Sequence, residues 1–191
     1  AWYRENDPRG YLPGFALSAA VGQASVLSTP LQVARAFSVL VNGGDVLGLH
    51  LVRAIEDDAG HVLEAHGREV VRHVRFPDEY GAIIREGLYG VINDEVGTAA
   101  GIALAELPMS GKTGTAESRE KRPGVDDPDF AAWLLRPHAW FVGYAPADAP
   151  RVLVVVFIEH GGSGGKNAAP IAQQALQKIF ERRLGNLGDT P

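Results

Sequence analysis

Cysteine is absent from the 191 residues, which excludes a disulfide framework and a thiolate metal site. Missing thiols suit an oxidising and a reducing compartment equally. No apolar run approaches the roughly 18 to 20 residues that cross a bilayer. The net charge of -5 lacks the basic excess that marks nucleic-acid or anionic-membrane partners. Ala1-Trp2-Tyr3-Arg4-Glu5 has no basic segment leading into an apolar core. It is not a signal peptide and reads as sequence from the middle of a larger domain. No internal repeat is visible, and the six histidines show no His-Glu-x-x-His spacing, so no metal site is expected.

What is present belongs to a folded protein. An apolar content of 46% with 21% charged residues matches globular averages and supports a packed core. Thr29, Pro30 and Gln32 form a capping box that opens a helix over 29–42, closed by Asn42-Gly43-Gly44. Segments 49–55 and 61–65 flank Asp57-Asp58-Ala59-Gly60 as a hairpin, and 69–76 reads as a further strand. Pro77 opens a second helix with Tyr80, Ile83, Ile84, Leu88, Val91 and Ile92 along one face, and a short helix is expected over 97–105.

The remainder is rich in strands. A short strand covers 109–116, followed by a charged loop over 118–129 expected to be exposed and mobile. Segments 138–144 and 152–158 form a strand hairpin over 138–158. The second of them is apolar throughout, as in a central strand covered on both faces. The last helix spans 170–184, with Ile171, Ala175, Leu176, Ile179 and Phe180 as its buried stripe. The fold class is α+β: an antiparallel sheet flanked by helices.

The chemically informative segment is Ser110-Gly111-Lys112-Thr113-Gly114-Thr115-Ala116-Glu117. Lys112 offers positive charge to a carboxylate or a developing anion. Thr113 and Thr115 offer hydroxyl donors, and Gly114 lets a ligand approach the backbone. A lone Lys-Thr-Gly tripeptide also fits a plain strand with an exposed lysine. Gly161-Gly162-Ser163-Gly164-Gly165-Lys166-Asn167 imitates a phosphate cradle, but His160 and Asn167 stand where a Walker loop needs glycine and Ser or Thr. It reads as a flexible loop into the last helix. His160 beside Glu159 suits ordinary loop contacts, and Asp126, Asp127 and Asp129 suit a solvated run.

Context around Lys112 is specific. Lys-Thr-Gly is the third element of the serine site in penicillin-binding proteins and serine β-lactamases. Val21-Gly22-Gln23, Thr29-Pro30-Leu31-Gln32-Val33-Ala34-Arg35-Ala36, Asn42-Gly43-Gly44 and Gly97-Thr98-Ala99 precede it. After it come His138-Ala139-Trp140-Phe141-Val142-Gly143-Tyr144-Ala145-Pro146, Glu159-His160-Gly161-Gly162 and Ala168-Ala169-Pro170-Ile171-Ala172. In this order the blocks resemble the transpeptidase domain of class B penicillin-binding proteins, most like the penicillin-binding protein 2 branch. The resemblance makes residues 1–191 the C-terminal portion of one such domain, with a partial transpeptidase fold.

What the resemblance implies is acyl transfer by a peptidoglycan D,D-transpeptidase, without a cofactor. The family's serine attacks the penultimate D-alanine carbonyl of a stem peptide, and a second strand's amine resolves the acyl-enzyme. β-Lactams occupy the same serine. Carried over, Lys112 sets the electrostatics of the site, Thr113, Gly114 and Thr115 bind substrate, and the Thr115 backbone N–H is an oxyanion-hole donor. The implied partners are stem peptides, β-lactam antibiotics and a lipid-linked glycan polymerase of the elongation machinery. The implied location is the periplasmic face of a bacterial inner membrane, held there by an N-terminal anchor.

The nucleophile is expected outside these residues. No Ser-x-Asn occurs, and Ser-x-x-Lys occurs only at Ser118 to Lys121 and Ser163 to Lys166, both after Lys112. Neither opens an apolar helix, so the chain alone is expected to be inactive. Two other readings remain open at this point: a transpeptidase-like binding module without catalysis, and a phosphate-binding domain using the Gly161 to Lys166 loop.

Overall fold

In the computed structural model the described residues are 5, 10–23, 27–118, 124 and 126–182. Helix α1 (Pro13–Ala20) opens on a proline at its first turn, and no sequence expectation covered it. Its end is a Schellman motif. Gly22 N–H donates to Ala19 O at 3.0 Å, Gln23 N–H donates to Ser18 O at 2.9 Å, and Gly22 takes φ +76°. Helix α2 (Pro30–Val41) starts on the expected capping box. Thr29 N–H donates to Gln32 Oε1 at 2.8 Å, and Gln32 N–H donates to Thr29 Oγ1 at 3.2 Å.

Beyond α2 come two small ladders. Strands β1 (Asp45–Leu47), β2 (Ala54–Glu56), β3 (Val62–Ala65) and β4 (Val70–His73) pair antiparallel, β1 with β4 and β2 with β3. The β2–β3 turn is held by Asp57, whose Oδ1 accepts the N–H groups of Ala59 and His61 at 2.9 and 2.8 Å. Val62, Leu63, Val70 and Val71 remain exposed on these ladders.

Asp45 ties β1 to β4 from the side chains. It accepts from His73 Nδ1 at 2.9 Å and from Arg68. The His73 hydrogen bond is the main force holding its carboxyl below the usual range, with Arg68 adding to it against the cost of partial burial. A carboxyl lowered in the folded state stabilises the ladder above its unfolded pKa, and that contribution is lost as pH falls through the lowered value. Acid titration followed by NMR at the β1 and β4 amides should therefore show a step below the normal aspartate range. Asp45→Asn should remove that step.

Helix α3 (Asp78–Asn93) buries Gly81, Leu88 and Ile92, whereas Tyr80 and Ile83 face solvent. Only the C-terminal half of the expected apolar face is therefore covered, because that half lies against the sheet: Asn93 Nδ2 donates to Met109 O at 2.8 Å. The helix expected over 97–105 contracts to one 3-10 turn, Ala100–Ile102.

Strands β5 (Ser110–Ala116), β6 (His138–Ala145) and β7 (Val152–Ile158) form an antiparallel sheet in the order β5-β6-β7. β6 is thus the central strand among the described residues. β7, read from its apolar sequence as central, instead has β6 as its one strand partner among the described residues; α2 and α5 (Ala169–Glu181) pack against it, and its side chains are half-buried with Phe157 exposed. The loop expected over 118–129 gives way at its end to α4 (Pro128–Leu134), capped by Asp127, whose side chain accepts the N–H groups of Asp129 and Phe130. Residues 119–123 and 125 of that expected loop lie outside the described set, as do 183 and 184, which the sequence expectation assigns to the last helix.

The buried stripe of α5 shares Leu176, and Phe180 packed against the core, with the expected one, but its N-terminal part runs through Ala169 and Ala172 rather than Ile171. Ala169, Ala172 and Leu176 are buried, while Ile171 is 49% exposed. Small alanines let the helix axis approach the sheet, where they join Phe141, Ala139 and Ile92 in the main core. The observed class is mixed helix and antiparallel sheet, as the sequence indicates.

Candidate active site on the open edge of the sheet

Strand pairing decides what β5 offers. It pairs with β6 in unbroken register, from Ser110 opposite Tyr144 to Ala116 opposite His138. Among the described residues no strand pairs with its other edge. Side chains alternate along a strand, and cross-strand partners share a face. Lys112 and Gly114 therefore lie on the face of Val142 and Trp140, and Thr113 and Thr115 lie on the face of Phe141 and Ala139. The second face is the one under α5. Lys112 points away from the core helix and remains exposed.

Two side chains reach the open edge. Lys112 Nζ bends back to donate to Thr113 O at 2.8 Å. Gln23 Nε2, 92 residues upstream, donates to Thr115 O at 3.1 Å. The carbonyls of Thr113 and Thr115 thus face outward. The N–H and C=O of one residue leave an extended strand on the same side, so the Thr115 N–H faces the open edge as well. Among the described residues no carboxylate pairs with the Lys112 ammonium.

The opposite face has its own support. Gly97 N–H donates to Asp94 O and Ala99 N–H to Val91 O, both at 2.9 Å, which folds the chain tightly against the end of α3. That placement brings Thr98 Oγ1 within 2.9 Å of Thr113 Oγ1. A π-turn, Gly164–Ala168, begins at Ser163, whose Oγ accepts the Lys166 N–H at 3.3 Å. Gly164 lies flat over the Gly114–Trp140 rung. A Cβ there would run into the carbonyl oxygens of both residues and come within 3.0 Å of Gly114 N. Gly165 abuts the Thr98 carbonyl in the same way. The Gly164 N–H points at Thr115 Oγ1 from 3.5 Å, which leaves the hydroxyl's own proton free for a ligand.

The glycine-rich segment read as a flexible loop is therefore a packed floor under β5. Its glycines serve backbone contact, because only residues without Cβ fit against a paired rung. His160 also departs from the loop reading. It is buried at φ +51°, its N–H donates to His138 Nδ1 at 2.9 Å, and its ring lies 4.3 Å from that of Trp133 and 4.7 Å from that of His138.

The two Ser-x-x-Lys serines have local structural bonds. Ser118 Oγ donates to Leu134 O at 2.8 Å, and Ser163 caps the π-turn. Lys121 lies outside the described residues. Among the described residues, no three His, Asp or Glu side chains are grouped to hold a metal, and no helix is long and apolar enough to cross a membrane. Sequence reasoning assigned no role to Gln23, Thr98, Gly164 or Gly165. The readable signal for Gln23 was Gly22 placed after a short apolar helix.

An unpaired edge with an outward N–H, flanking hydroxyls and an exposed ammonium suits an extended peptide that carries a negative charge. Residues 6–177 match the model of the penicillin binding protein transpeptidase domain. The peptidoglycan D,D-transpeptidase MrdA of Haemophilus influenzae is 34% identical over 193 residues, which cover 96% of this chain and 28% of that protein. Penicillin-binding protein A of Mycobacterium tuberculosis, solved as a ceftriaxone acyl-enzyme, superposes with a TM-score of 0.68 at 28% identity, over 84% of this chain and 34% of that one. Penicillin-binding protein 2 of Pseudomonas aeruginosa, in complex with WCK 5153, gives a TM-score of 0.67 at 26% identity, over 94% and 35%. This chain thus spans 28 to 35% of the length of these three proteins. It belongs to the penicillin-binding protein transpeptidase domain family.

Proposed function

We propose that the open edge of β5 is one wall of the acylation site of a peptidoglycan D,D-transpeptidase. The observation that carries this reading is the exposed Lys112 ammonium beside an unpaired strand edge, with the Thr115 N–H directed outward. A serine supplied by polypeptide outside these residues adds through Oγ to the penultimate D-alanine carbonyl, passing its proton to a base. The Thr115 N–H donates to the oxygen that gains charge. Collapse expels D-alanine, whose nitrogen takes up a proton, and an acceptor amine then resolves the ester. Lys112, Thr113, Gly114 and Thr115 bind and orient the terminal carboxylate. β-Lactams enter by the same approach.

The penicillin-binding protein 2 likeness extends the proposal to cell-wall elongation at the periplasmic face of a bacterial inner membrane. A lipid-linked glycan polymerase is the partner that makes the strands to be joined. The test is labelling with a fluorescent penicillin. The full-length protein should take one label per chain on a serine upstream of this segment, and residues 1–191 alone should take none. A label on Ser118 or Ser163 would overturn the division of the site. A folded full-length protein that takes no label would make the domain a binding module.

A further inference from the structure

We propose that Gln23 is a placeholder on the site strand: its side-chain amide occupies the Thr115 carbonyl that the substrate's backbone must take. The inference rests on the transpeptidase reading above and adds a specificity-determining residue to it. Three observations lead there. The Schellman motif after α1, with Gly22 at φ +76° and Gln23 N–H on Ser18 O, fixes where Gln23 leaves the helix. Its Nε2 donates to Thr115 O across the open edge. Thr115 is also the residue whose N–H faces that edge, as the outward carbonyls of Thr113 and Thr115 require.

Antiparallel pairing then sets up a competition. In a hydrogen-bonded pair, two opposed residues exchange both N–H···O bonds. A substrate residue that places its carbonyl on the Thr115 N–H in an extended conformation brings its own N–H onto Thr115 O. The carbonyl has two lone pairs, but Gln23 Nε2 reaches it across the same open edge by which the substrate N–H must come, and a carboxamide and a peptide amide donate alike, so the two compete for one approach. In the free protein Gln23 keeps the edge satisfied, as natural sheets do to discourage unwanted strand pairing. On binding it must let go, and the substrate recovers the bond only if it carries an N–H at that position. Lys112 shows the same habit one rung along, holding Thr113 O until a carboxylate arrives.

The experiment uses the full-length protein and the substrate benzoyl-D-alanyl-thioacetate, whose D-alanyl N–H lies next to the reacting carbonyl. Gln23→Met keeps length and flexibility but cannot donate. Freed from displacing a hydrogen bond worth about 1 kcal/mol, the variant should acylate about fivefold faster in kcat/KM. A structure of the acyl-enzyme should show the Gln23 amide off Thr115 O and the substrate N–H in its place. Equal or slower acylation by Gln23→Met, or an acyl-enzyme in which Gln23 still holds Thr115 O, overturns the proposal while the transpeptidase reading stands. No acylation of the unaltered full-length protein overturns both.

Discussion

Lys112→Ala in the full-length protein is expected to lower the rate of acylation by benzylpenicillin about 100-fold, in the range seen when one preorganised electrostatic donor is removed. The melting temperature should barely move. Lys112 is exposed, makes one hydrogen bond to the carbonyl of the next residue and lies on the face away from the core helix. Surface substitutions of that kind change stability by about 0.5 kcal/mol or less. The two readouts separate a functional role from a structural one. Lys112→Arg keeps the charge but replaces a compact ammonium with a wide planar fork, so partial recovery is expected. Unchanged acylation by Lys112→Ala would remove this strand from the site.

Gly164→Ala is expected to act the opposite way, through the fold. The added methyl would meet the carbonyl oxygens of Gly114 and Trp140, which belong to two strands already paired. A flexible side chain would give way, but a paired rung moves only by breaking its ladder. Overpacking typically costs about 1 to 3 kcal/mol, and the upper end applies here. For a chain of this size, that is a fall in melting temperature of about 10 °C. Gly101→Ala is the control, because nothing stands within 4 Å of the added methyl. Equal effects at the two positions would show that the floor under β5 is loosely packed.

How much of this was legible in sequence depended on whether the cause was local. Thr29 and Gln32 are three residues apart, and the capping box they promise is present. The strand around Lys112 and the β6–β7 hairpin also form at the expected places, within a residue or two. Helix α1 went unseen because its eight residues carry no buried stripe for a periodicity argument to find. Helix α4 had a readable start in Asp127-Pro128, but the surrounding charges favoured a loop. In α5 the expected Leu176 and Phe180 do face the core, but Ile171 does not, because the sheet selects the small Ala169 and Ala172 for close approach. Gly164 and Gly165 fit both a hinge and a contact, and only the neighbouring strands decide between them. The candidate site was readable only as a set of residue types on one strand. Its edge geometry was not, since alternation separates Lys112 from Thr113 and Thr115 and only pairing with β6 says which edge stays open.

The two-stranded ladders β1–β4 and β2–β3 differ in kind from the sheet that carries Lys112. Each has a single partner strand and apolar side chains turned to water, whereas β6 is bonded on both edges and almost wholly buried. Opening a ladder therefore gives up little, and opening the sheet gives up the main core. Residues 45–73 should therefore exchange their amide hydrogens well before the strands around Lys112 do.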